Sequence, residues 1–120
     1  MKLQIHFEPR VAVIEISGKV MGGREAALFY GTIFEHLHRG GRNFVVDLDG
    51  VDRMNSSGLG MLIAAHTAIK KAGGRLAVTR ITNLESLLSM TRLITVLENF
   101  ESIDLAVRRL QNGMLAQKPS

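Results

Sequence analysis

VVDLDGVDRMNSSGLGML, residues 45–62, is the stretch on which the reading of this chain turns. A short apolar run (Phe44, Val45, Val46, Leu48) passes into a polar turn, which delivers the adjacent hydroxyls of Ser56 and Ser57 to the start of an apolar, alanine-rich helix. At a helix N-terminus the first backbone N–H groups have no intrahelical acceptor, and the aligned peptide dipoles present partial positive charge. A hydroxyl there, or a phosphate carried by it, sits in a favourable field. Asn55 or Ser56 serves as the N-cap. Gly58 and Gly60 follow at once, although glycine inside a helix costs about 0.5–1 kcal/mol relative to alanine. Their presence implies that something needs the missing side chains, such as a helix lying close on a sheet.

Outward from that stretch the chain alternates strands and helices. Leu3, Ile5 and Phe7 alternate with polar residues, and Val11, Val13, Ile14 and Ile16 form a second apolar run after Glu8-Pro9-Arg10. These predict two strands joined by a tight turn, the first at a sheet edge. Residues 18–23, GKVMGG, read as a loop. Over 24–39 the residues Ala27, Leu28, Ile33, Phe34 and Leu37 fall at helical spacing, and Gly40-Gly41 ends that helix. A buried strand follows over 42–48, its apolar residues running together rather than alternating.

The helix opened by the two serines runs to about residue 72 and stops at Gly73-Gly74. Between Leu59 and Ile69 only His66 and Thr67 are clearly polar, where a surface helix would show a charged face. Either the helix is covered on two sides, or its Met61, Ala64, Ala65, Ala68 side meets a partner. Residues 75–78 then read as a strand, 84–90 as a short helix, 95–98 as a last strand and 103–110 as a closing helix, with a loose tail over 113–120. The sum is one α/β domain over 1–120, core 3–112, with a mixed sheet of about five strands and about four helices joined by right-handed crossovers.

The totals narrow the function. One domain of 120 residues, 46% hydrophobic and 22% charged, has the composition of an ordinary globular protein. No apolar run reaches the length of a membrane span, and Met1-Lys2-Leu3-Gln4 lacks the apolar core of a signal peptide. With no cysteine, thiolate metal sites and cysteine nucleophiles are excluded, and a cytoplasmic location is expected. The net charge of +4 comes from the second half, where residues 51–120 hold nine basic and five acidic side chains. Those bases are dispersed and stacking aromatics are scarce, with one Tyr and no Trp, so an acidic protein partner fits better than nucleic acid.

Met54-Asn55-Ser56-Ser57-Gly58-Leu59-Gly60, preceded by Asp47-Leu48-Asp49 and Val51, resembles the signature of the STAS domain of bacterial anti-sigma factor antagonists. The element order is also that of the STAS fold. The resemblance implies a partner switch. The unmodified domain would bind an anti-sigma factor that is also a serine kinase of the histidine-kinase ATPase type. Phosphorylation of Ser56, with Ser57 as second choice, would release it, and a metal-dependent Ser/Thr phosphatase would reset it. The partner surface implied comprises Met21, Gly22 and Arg24 together with Met54, Asn55, Ser56, Ser57, Gly58, Leu59, Gly60, Met61 and Ala64. A weak homodimer is a further partner state. The chain departs from the family pattern at two places where many members carry an acid: Asn55 precedes the target serine, and Met21 follows Gly18-Lys19-Val20. The alternative reading is a STAS scaffold that is not phosphorylated and serves a signalling or lipid-transport complex.

Other constellations carry less. Glu35, His36 and His38 share a helix, but residues two apart point about 200° apart and do not converge on a metal. His6 lies on the edge strand, and His66 reads as a half-buried structural histidine. Asn55-Ser56-Ser57-Gly58 lacks the glycine two positions before a hydrolase serine, and Gly58-Leu59-Gly60 lacks the third glycine of a dinucleotide fingerprint. No enzyme active site, cofactor site or metal site is expected.

Overall fold

A computed structural model describes residues 1–81 and 96–116. The helix expected over 84–90 lies outside the described residues. In chain order the elements are β1 (Lys2–Glu8), β2 (Val11–Val20), α1 (Arg24–His38), β3 (Asn43–Met54), α2 (Ser56–Lys71), β4 (Arg75–Thr79), β5 (Glu98–Phe100) and α3 (Ile103–Ala116). The five strands form one mixed sheet in the order β1-β2-β3-β4-β5, with β1 antiparallel to β2 and the others parallel to their neighbours. Three helices are present among the described residues.

Alternation along the strands divides the core. Ala12, Ile14 and Ile16 of β2 and Phe44, Val46 and Leu48 of β3 face α1 and α2, packing with Phe29, Ile33, Leu59, Leu62 and Ile69. Val11, Val13, Val45 and Ala77 face the other way, onto Ala106, Val107 and Leu110 of α3. Both sheet faces are therefore covered at the centre, as parallel strands require.

Four boundaries differ from the sequence reading. Gly18-Lys19-Val20 belongs to β2, and β3 runs on through Asp49 to Met54, because the two strands keep pairing from Ser17↔Gly50 to Val20↔Met54 across shifts in register. The polar residues there read as a turn, but they lie at the exposed end of a ladder whose backbone bonds are indifferent to side-chain polarity. β5 begins at Glu98 rather than 95. α3 continues to Ala116, into the segment expected to be a tail. Of the apolar residues of α1, Phe29 and Ile33 are buried, whereas Leu28 and Phe34 are 59% and 49% exposed.

Candidate functional site

The site is the rim where the carboxyl ends of β2 and β3 meet the N-terminus of α2. Asn55 is the N-cap: its backbone is extended, and its side-chain Oδ1 accepts from the N–H of Gly58 at 2.8 Å. Its carbonyl accepts the first helical bond from Leu59 N–H at 3.0 Å. Ser56 and Ser57 thus occupy the first two helical positions. Both are exposed, and neither hydroxyl is engaged by another group among the described residues. The first turn contains no acidic residue.

Glycine at 58 has a specific cause. A Cβ placed there would run into the carbonyl oxygen of Val20, the last residue of β2. That same carbonyl accepts from Asn55 N–H at 3.3 Å. The start of α2 is therefore seated on the end of β2, and only a residue without a side chain allows the approach. Gly60 is different, since a Cβ there meets nothing within 4 Å. Close packing on the sheet explains Gly58 and not Gly60.

The loop between β2 and α1 closes the rim. Gly22, at φ 78°, would bring a Cβ to within 2.9 Å of Ser57 Cβ, so Gly22 lies against Ser57. Around the rim Lys19 and Arg53 are exposed register partners, and Arg24 is exposed at the start of α1. A charge added to Ser56 or Ser57 would sit at the positive end of the α2 dipole.

The structure divides the residues proposed from sequence. Arg24, Asn55, Ser56, Ser57, Gly60 and Ala64 are exposed and share the rim or the outer face of α2. Met21 is half-buried. Met54, Leu59 and Met61 are core residues, and Gly22 and Gly58 are buried spacers. Those five support the rim from beneath and offer a partner no side-chain surface. Of the α2 side left open by the sequence, Met61 and Ala65 are buried and Ala68 half-buried, which leaves Ala64 facing outward.

One cluster escaped the sequence reading. Asp47, only 2% exposed, accepts from Thr79 Oγ1 at 2.7 Å and from the Arg80 guanidinium at 2.8 and 2.9 Å. Arg80 reaches it from a left-handed backbone, φ 56°, just past β4. The hydrogen bonds to Asp47 hold the guanidinium pKa above its usual value. The available signal was an acid embedded in the apolar run Phe44-Val45-Val46-Asp47-Leu48, since a buried carboxylate needs a partner. The metal candidates are occupied elsewhere: Glu35 pairs with Arg39 at 2.8 Å, and the His36 ring packs between Phe7 and Phe44. Among the described residues no helix is long and apolar enough to cross a membrane.

Comparison with known proteins places this geometry. No curated protein matches the chain. A putative anti-sigma factor antagonist from Thermotoga maritima has the same fold, with a TM-score of 0.80 at 21% identity over 91% of this chain and 94% of that one. Phosphorylated SpoIIAA from Bacillus superposes with a TM-score of 0.69 at 14% identity, covering 90% of this chain and 98% of that one. A sulfate transporter family protein from Wolinella succinogenes gives 0.75 at 19% identity, covering 91% and 89%. Residues 3–111 match the family model STAS_2, described as Mlab, STAS domain, and the chain belongs to that family.

Proposed function

We propose that this domain is an anti-sigma factor antagonist that acts as a phosphorylation-dependent partner switch, with Ser56 as the modified residue and Ser57 as second choice. The observation that carries the reading is the pair of exposed hydroxyls on the first turn of α2, unengaged among the described residues. Unmodified, the rim of Arg24, Asn55, Ser56, Ser57, Gly60 and Ala64 docks an anti-sigma factor that is itself a serine kinase of the histidine-kinase ATPase type. Small residues there let a partner's backbone come close. Transfer of the ATP γ-phosphoryl to the serine oxygen adds about −1.5 to −2 charges. In the free domain the helix dipole accommodates that charge. In a packed interface it is desolvated, and the partner is released. A Ser/Thr phosphatase returns the domain to its binding state. The chemistry belongs to those partners, and the domain itself needs no active site.

A second reading has its own support. Asn55 supplies a neutral cap where many antagonists carry an acid, and the matching family is described by Mlab. A scaffold that is never phosphorylated, in a signalling or lipid-transport complex, would use the same rim as a permanent contact.

Incubation with the cognate kinase and ATP, followed by intact mass and peptide mapping, separates the two. One added phosphate on Ser56 supports the switch, and none supports the scaffold. Ser56→Ala should bind the partner and resist modification. Ser56→Asp should bind at least tenfold more weakly while keeping its melting temperature. Undiminished binding by the Asp variant would refute release by charge.

A further inference from the structure

The two edges of the sheet are built differently. β5 has three residues, too few to template another strand. β1 has seven, pairs with β2 in unbroken register from Lys2↔Ser17 to Glu8↔Val11, and contains no bulge or proline. Its outer backbone edge is thus regular and, among the described residues, unpaired, and its apolar side chains are poorly covered, with Ile5 42% and Phe7 65% exposed. Edge strands of this kind are usually blunted, because they invite pairing.

The sequence of β1, Lys2-Leu3-Gln4-Ile5-His6-Phe7-Glu8, is complementary to itself when run antiparallel about Ile5. Lys2 then opposes Glu8 of a second copy, Leu3 opposes Phe7, Gln4 opposes His6, and Ile5 opposes Ile5. Both opposite-charge pairs form together, and the apolar face stays on one side of the joined sheet. Slipping the register by two residues in either direction keeps the faces but loses both charge pairs. Phe7 of each copy would come to rest opposite Leu3 of the other, beside a cavity that Leu3 shares with the exposed Leu28 of α1. We infer that β1 is an isologous dimer interface, in which two copies pair β1 to β1 about a two-fold axis at Ile5 and join their sheets into one of ten strands. α2 packs on β3 and β4, so this pairing leaves Ser56 and Ser57 free for another partner.

The test begins with sedimentation of the full chain as a function of concentration. The expected result is a reversible monomer–dimer equilibrium, and a monomer at every concentration up to about 1 mM overturns the proposal. Lys2→Glu and Glu8→Lys, both at exposed positions, each place two like-charge pairs in the dimer and should weaken it about tenfold. The double variant, and an equimolar mixture of the two single variants, should restore association. Equal association by all of them overturns the assigned register. The chain has no cysteine, so Ile5→Cys reports the axis directly: mild oxidation should yield a disulfide-linked dimer, because directly opposed residues lie within bonding range. Gln4→Cys, whose mate in this register is His6, should remain largely uncrosslinked. Faster crosslinking at Gln4 than at Ile5 would refute the pairing.

Discussion

The α-carbon of Gly58 lies against the carbonyl oxygen of Val20, so close that a side chain at position 58 would collide with it. Gly58→Ala must therefore lift the first turn of α2 off β2 or distort the end of the strand. A loss of about 1–3 kcal/mol in unfolding free energy is expected from such overpacking. Gly60→Ala provides the contrast. With open space around its Cβ, it should gain about 0.5–1 kcal/mol from helix propensity alone. Urea melts of the two variants check this, and equal effects would show that α2 is not seated as described. If Gly60→Ala weakens partner binding while raising stability, then this glycine is there for the partner's approach.

Arg80→Ala leaves the Asp47 carboxylate buried without its cation. Removing one partner of a buried pair costs several kcal/mol. Arg80 is itself 39% exposed, so water can reach part of the vacated space, and Thr79 Oγ1 remains bonded. The expected loss is accordingly about 1–3 kcal/mol. Thermal unfolding of Arg80→Ala beside Asp47→Asn measures it. An unchanged melting temperature for Arg80→Ala would mean that the carboxylate is solvated from elsewhere.

Two histidines set a pH dependence. Burial lowers the pKa of His36, with Arg39 adding to the effect, and burial lowers that of His66, where Lys70 adds and Glu98 opposes. In the folded chain both rings resist protonation, whereas the unfolded chain takes up those protons near pH 6.5. The unfolded state therefore binds more protons just below that pH. Stability is fully present above it and declines as the pH falls. Melting temperatures at pH 7.5 and 5.5 should differ in that direction, and the double variant His36→Gln, His66→Gln should flatten the difference. A parent protein more stable at pH 5.5 would contradict the sign.

Much of the candidate site could be read from the chain itself because its determinants are local. Asn55 caps through a residue three positions away, and the exposure of Ser56 and Ser57 follows from their place on the first helical turn. The cause of Gly58 was only half legible. Sequence showed that a close approach was needed but not that Val20 was the group approached. Helical spacing in α1 did not say which residues face the core, because apolar residues lie on more than one face, and only the helix's rotation against β2 and β3 picks Phe29 and Ile33.

The chain alone determined the alternation of strands and helices, the edge position of β1 and the hydroxyl pair at the head of α2. Those follow from side-chain period, turn chemistry and capping, which act over a few residues. Tertiary structure decided how far β2 and β3 extend, since Lys19 through Val20 and Arg53 through Met54 are strand only because each finds the other as backbone partner. It also decided that Asp47 meets Thr79 and Arg80, more than thirty residues away. A ladder bond and a buried ion pair both need groups brought together by the fold, and no local pattern encodes which distant group will arrive.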